Sequence, residues 1–240
     1  MEKDLNAVSS EYMPNANTEL ENRLILNWYP QRIIERVGRV PSILELGIGH
    51  GITAEKFMDV CDHYVVVEGA STVIDHFLGL RPGFKGEVVF GYFEEFNTSE
   101  RFDVIVMGFI LEHVDNPNLI LRKYRELLKS NGRLFVAVPN AKSLNRRLGL
   151  ELGIIKDIYS LNDNDLAQGH QRQYCRDSLR AEAINAGYRV VHEEGIYLKP
   201  LPLSFLRKLN DFEGNLQAML KVGIDFPDLS VAILLELSPS

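Results

Sequence analysis

The segment ILELGIGHG, Ile43 to Gly51, constrains this chain more than any other. A short apolar run ends in glycines at 47, 49 and 51, and a stretch of helical length, ITAEKFMDVC, follows. Glycines at alternate positions just past a strand let a ligand lie against the backbone, because no Cβ stands in the way. Such a turn is open to a dinucleotide, a nucleotide phosphate, or a group carrying no phosphate. The dinucleotide fingerprint GxGxxG needs its third glycine where Ile52 stands, and no GxxxxGK(S/T) phosphate loop is present.

The surrounding pattern alternates. SILEL (42–46), HYVVVEG (63–69), EVVFG (87–91), FDVIVMG (102–108) and RLFVAVP (133–139) read as strands, with segments of helical period between them. The helix expected at 116–130 is stopped by Asn131–Gly132. Residues 140–170 break the rhythm and read as an insertion after the fifth strand. A helix at 175–187, a strand YRVVHEEGIY, a mostly helical stretch at about 203–223 and a last strand LSVAILLEL bring the strand count to seven. Strands alternating with helices imply an α/β fold, with a parallel sheet covered on both faces. Ahead of it, residues 1–18 read as a polar arm and 19–37 as a helix broken or kinked at Pro30. The expected division is a helical arm or lid at 1–40 and one domain at 41–240.

Charge narrows the function classes. Lys plus Arg number 26 against 33 Asp plus Glu, a formal net charge of −7, which argues against the basic footprint that nucleic-acid backbones require. The opening MEKDLNAVSS has no secretory pattern, and VAILLEL, the longest apolar run, is strand-sized. Cys61 and Cys175 stand far apart without a CxxC, as reduced thiols in a cytoplasm do. A cytoplasmic protein with no membrane span is expected.

Glu68 closes the second strand in VVVEG. First and second strands of a doubly wound sheet are neighbours, so a carboxylate there is placed to accept hydrogen bonds from both hydroxyls of a ribose. ELGIGHG, VVVEG, GYFEEF, FDVIVMGFILEHV and LLKSNGRLFVAVPN then follow in order. Over roughly residues 40–195 this succession resembles the class I S-adenosylmethionine-dependent methyltransferases, closest to the small-molecule branch whose fourth strand leads into LEHV. The resemblance implies a Rossmann-like, doubly wound and mostly parallel seven-stranded sheet whose last strand inserts antiparallel. It also implies S-adenosylmethionine as cofactor. Glu45, Gly47, Gly49 and Gly51 would border its methionine half, and Glu68 and Gly69 its ribose. Tyr92, Phe93 and Glu94 would border the adenine, with Tyr92 replacing the acidic residue usual in that loop. Met107, Gly108 and Phe109 would lie near the sulfonium.

Methyl transfer from a sulfonium needs alignment more than acid–base chemistry, although a hydroxyl acceptor gains from a general base. Among six histidines, His113 in LEHV and His170 in QGHQRQY are the candidates. His50 is expected to face solvent, and His63, His76 and His192 have no assigned role. No His, Asp and Glu set, including Glu112 and Asp115, has ligand spacing, so no metal is expected. Arg146–Arg147 with Arg172 are candidates for an anionic acceptor such as a nucleotide-linked sugar. The acceptor expected is a small molecule: a sugar, a glycan precursor or a natural product. The N-terminal arm with Tyr12, Trp28 and Tyr29, the insertion and the C-terminal segment would admit it. A methyltransferase acting on RNA or tRNA, and a non-catalytic protein retaining the fold, are the alternatives, and a nicotinamide- or flavin-dependent oxidoreductase is disfavoured by Ile52. Either a monomer or a homodimer is compatible with the sequence.

Overall fold

The seven apolar runs form seven strands of one sheet. The computed structural model describes residues 19–240, so the expectations for residues 1–18, including Tyr12, lie outside it. The strands are β1 (Val40–Leu46), β2 (Cys61–Glu68), β3 (Glu87–Phe90), β4 (Phe102–Gly108), β5 (Leu128–Pro139), β6 (Tyr188–Ile196) and β7 (Ala232–Pro239), in the spatial order β3-β2-β1-β4-β5-β7-β6. β3 through β5 run parallel, while β7 inserts antiparallel to both β5 and β6. The helices are α1 (Glu19–Val37), α2 (Ile52–Met58), α3 (Ser71–Leu80), α4 (Pro117–Arg125), α5 (Leu144–Glu151), α6 (Asp163–Ala167), α7 (Arg176–Asn185), α8 (Leu203–Leu206) and α9 (Phe212–Gly223). Among the described residues no helix is long and apolar enough to cross a membrane.

Continuous apolar runs arise because both faces of the central strands are buried. Leu44, Leu46, Val65, Val67, Ile105, Met107, Leu134 and Val136 point to one face, under Ile120, Leu121 and Tyr124 of α4 and Leu179 and Ala183 of α7. The alternate residues Ile43, Val66, Val104, Val106, Phe135 and Ala137 point to the other face. There they meet Tyr29 and Ile33 of α1, Phe57 of α2, Phe77 of α3 and Leu216 and Leu220 of α9. Burying one such phenylalanine or leucine stabilises the fold by about 1.5–3 kcal/mol.

Two local expectations are corrected. α1 runs unbroken through Pro30; the buried Tyr29 and Ile33 on either side of it anchor the helix to the core. α4 ends at Arg125, short of Asn131–Gly132, which lie within β5. Leu127 there accepts the N–H of Phe102 at 2.8 Å, so the chain is already pairing with β4. The stretch at 203–223 is mostly helical as expected and forms two helices, the second capped by Asp211, which takes a left-handed conformation (φ 52°) and accepts the Gly214 N–H. Both cysteines are buried and unpaired with one another.

The register aligns the strand ends. Leu46 pairs with Val67 and with Met107, Glu68 pairs with Phe90, and Gly108 pairs with Ala137. The carboxyl ends of β1, β2 and β4 therefore open on one edge at the point where the strand order reverses, which is where open α/β sheets bind ligands.

Candidate active site

The glycine turn leaves β1 with Gly47 at φ 82°, Gly49 at 51° and Gly51 at 70°, a left-handed geometry that residues with a Cβ rarely adopt. The three glycines have different neighbours. A Cβ on Gly51 would stand 2.5 Å from the Phe77 ring, so this glycine lets α2 and α3 pack. A Cβ on Gly47 would stand 3.0 Å from Ile110 Cδ1. A Cβ on Gly49 would meet nothing within 4 Å, so the space beside it is open.

Glu68 ties this turn to the next. Its Oε2 accepts the Ile48 N–H at 3.0 Å and its Oε1 accepts the Ala70 N–H at 2.8 Å. Burial pushes its carboxyl up from the usual range, opposed by the N–H groups of Ala70, Ile48, Gly69 and Gly49. Each oxygen retains acceptor capacity beyond those bonds. Beyond β3, the Gly91 N–H donates to the Glu68 carbonyl at 3.0 Å, which brings Tyr92 and Phe93, both half-buried, alongside. Tyr124 Oη donates to the Phe93 carbonyl at 3.2 Å and Lys123 Nζ to the Glu94 carbonyl at 2.6 Å, so α4 fixes this loop while the Glu94 side chain is exposed.

Two of the expected residues lie beneath the turn. Glu45 is 2% exposed and its carboxylate is taken up by Tyr64 Oη and Thr53, on the face under α1 and α2. Strand alternation turns it there together with Ile43, and burial pushes its carboxyl up to about 7. Met107 is fully buried in the opposite core, again by alternation. Gly108 is close-packed, since a Cβ on it would stand 2.2 Å from Tyr29 Oη. Phe109, half-buried, has φ 60° and sets its ring edge-on to Tyr29 at 5.7 Å. A left-handed non-glycine residue is strained by roughly 1–3 kcal/mol, and such strain gathers at functional sites.

Beyond Phe109 the chain turns through Glu112 and His113 before α4, and the segment after α6 folds back onto that turn. The Gln171 N–H donates to the Glu112 carbonyl at 2.8 Å, and Arg172 Nη1 donates to the carbonyls of Leu111 and Val114. His170 thereby reaches His113, their rings edge-to-face at 4.7 Å. Glu112 is 1% exposed between them, and burial pushes its carboxyl up to about 7. The two candidate histidines come together, and Glu112, set aside on spacing alone, joins them.

The expected arginine cluster has other partners. Arg146 donates to the carbonyls of Ile158 and Ser160, Arg147 to those of Lys142 and Asp228, and Arg172 to the turn just described. These guanidiniums hold backbone rather than converge on an anion. His63 pairs with Glu100 at the surface, and His192 with the buried Glu194, which also accepts from Arg32 of α1.

A family model described as "Methyltransferase domain" matches residues 17–193. A ubiquinone biosynthesis O-methyltransferase of Chelativorans sp. (strain BNC1) is 28% identical over 167 residues, which cover 66% of this chain and 63% of that protein. The chain thus spans somewhat less than two thirds of that relative's length. Among solved structures, the CcbJ methyltransferase from Streptomyces caelestis is similar with a TM-score of 0.67 at 16% identity, covering 98% of this chain and 97% of that one. The N-methyltransferase NodS from Bradyrhizobium japonicum WM9, in complex with S-adenosyl-L-homocysteine, is similar with a TM-score of 0.61 at 12% identity, covering 99% of each chain. At these identities the structural likeness is one of fold.

Proposed function

The chain belongs to the class I S-adenosylmethionine-dependent methyltransferases, and from that premise we propose that it methylates a hydroxyl or amine of a small molecule. The observation that carries this reading is Glu68, whose buried carboxylate is held by the Ile48 and Ala70 N–H groups beside the open space at Gly49. The residues present fit the cofactor: left-handed glycines leave the backbone bare, and the acid at the end of β2 has lone pairs for two ribose hydroxyls. When bound, S-adenosylmethionine supplies a methyl group already activated on a sulfonium.

The chain's own residues then bind, orient and exclude water. In this reading the glycine turn seats the methionine half, with Glu45 bracing it from behind. Glu68 and Gly69 take the ribose, while Tyr92 and Phe93 flank the adenine and Glu94 stays at the rim. Phe109, stiffly held, shields the reacting centre over Gly108, with Met107 in the core below. Alignment of this kind supplies most of what an in-line displacement requires. Glu112, His113 and His170 provide the polar groups on the acceptor side.

A small acceptor is favoured over RNA by the net charge of −7 and by arginines near the site that are turned to backbone carbonyls. Sugars, glycan precursors and phenolic natural products are the acceptor classes to try first. The test is calorimetric binding of S-adenosylhomocysteine, followed by its release from S-adenosylmethionine in the presence of hydroxyl- and amine-bearing small molecules or of bulk tRNA. Turnover with a small molecule is the expected result; turnover with tRNA alone overturns the acceptor class, and absence of cofactor binding overturns the reading.

A further inference from the structure

Glu112, His113 and His170 each place one donor atom within 4.8 Å of those of the other two. Glu112 is 1% exposed, and neither of its carboxylate oxygens has a hydrogen-bond partner. A buried carboxylate without donors is costly, and buried charges in folded proteins are paired or coordinate metals. The charged groups near it are the His170 imidazole and the Arg172 guanidinium, and the latter gives its Nη1 donors to backbone carbonyls instead.

His170 is buried in front of a carboxylate. Its side chain is 8% exposed, and its Nδ1 lies 3.5 Å from Asp165 Oδ1. Asp165 is itself fixed, since its Oδ2 accepts the Asn162 N–H at 2.9 Å and Gln173 Nε2 at 3.0 Å. At 3.5 Å the carboxylate attracts the ring but Nδ1 makes no hydrogen bond, so a second buried polar group stands without a partner beside Glu112, and Nε2 on the far side of the ring is left for a ligand. The backbone is equally restrained, because Gln171 and Arg172 bind the carbonyls of the 111–115 turn.

The geometry points to a divalent-cation site built from Glu112, His113 and His170 at the carboxyl end of β4. Two imidazoles and one carboxylate with a position left open form a ligand set suited to zinc. The nitrogen content favours Zn2+ and neighbouring transition ions over Mg2+, which takes oxygen ligands. His113, half-buried, marks the side from which an ion enters. The open position is where an oxygen or nitrogen of the acceptor would bind, an assignment that rests on the methyl-transfer reading above. Glu112 and His113 are adjacent but His170 comes from a segment remote in sequence, so no ligand spacing announces the set.

Full-length protein dialysed against chelator is titrated with Zn2+ by calorimetry and with Co2+ by visible absorption, and S-adenosylhomocysteine binding is measured on the same samples. One ion per chain is expected, with the ligand-field bands of nitrogen-coordinated Co2+. Glu112→Gln and His170→Ala should each weaken zinc binding by roughly a hundredfold, and Asp165→Asn by roughly tenfold. Cofactor binding should persist in these variants. If Glu112→Gln does not fold, His113→Ala at the half-buried position carries the same expectation. Wild-type protein that binds zinc no more tightly than the variants, or a Co2+ spectrum without nitrogen ligands, overturns the site. Zinc binding without any binding of S-adenosylhomocysteine overturns the methyltransferase reading and leaves the metal site standing.

Discussion

Glu68 accepts the backbone N–H of Ile48 at 3.0 Å, so the last residue of β2 holds the middle of the glycine turn that follows β1. One carboxylate therefore shapes the turn and stays available to a ligand lying on it. Glu68→Ala should weaken S-adenosylhomocysteine binding by about 10- to 100-fold, the worth of hydrogen bonds to a charged group. It should also lower the stability of the ligand-free protein by about 1–3 kcal/mol, because two N–H groups lose their acceptor. Calorimetry and urea unfolding read the two effects separately, and unchanged affinity would remove Glu68 from the site.

The glycines of the turn should separate into a binding and a packing class. Gly49→Ala places its Cβ in open space, so it should cost about 1–2 kcal/mol of left-handed strain yet obstruct the cofactor. Gly51→Ala meets the Phe77 ring at 2.5 Å and should cost stability well beyond that. Melting temperatures with and without S-adenosylhomocysteine check this: ligand should stabilise Gly49→Ala less than it stabilises wild type. Equal ligand shifts would argue that nothing binds beside Gly49.

Gly108 and Tyr29 should be coupled. Gly108→Ala puts a Cβ 2.2 Å from Tyr29 Oη, and the buried Tyr29 ring must shift to relieve it. A destabilisation of about 1–3 kcal/mol is expected, as for other overpacked sites. In combination with Tyr29→Ala, which already removes the obstacle, the added cost of Gly108→Ala should largely vanish. A double-mutant cycle by denaturant unfolding measures this, and additive costs would contradict the contact.

Glu45 should make stability fall with rising pH. Burial raises its folded-state carboxyl to about 7, above its unfolded value. Its contribution is therefore fully present below the unfolded carboxylate pKa near 4.5 and is lost as pH rises through about 7. Glu45→Gln keeps an oxygen for the Tyr64 hydroxyl but cannot ionise. The variant should thus lose less melting temperature between pH 5 and pH 8 than wild type, by several degrees. A parallel decline in both proteins would show that Glu45 is not the titrating group.

Much of the fold is legible in the chain's local pattern. The apolar runs marking β1 to β7, the glycines at 47, 49 and 51, and Glu68 at the end of VVVEG are all visible because strand period and turn chemistry involve near neighbours. Helix ends are less legible. Asn131–Gly132 has the chemistry of a stop, yet the pairing of Phe102 with Leu127 and Leu128 had already drawn that segment into β5. Pro30 has the chemistry of a break, yet α1 continues because Tyr29 and Ile33 anchor it to the core.

Local sequence is enough to specify the succession of strands and helices, the bare turn after β1 and the acid that faces it, since each depends on residues close along the chain. Tertiary structure alone decided which side chains face the site. Strand alternation sends Glu45 and Met107 into opposite cores, and backbone carbonyls claim Arg146, Arg147 and Arg172. The fold-back of residues 170–172 onto the turn after β4 brings His170 to Glu112 and His113. No periodicity encodes that meeting, because the hydrogen bonds that create it join segments that touch only once the sheet is complete.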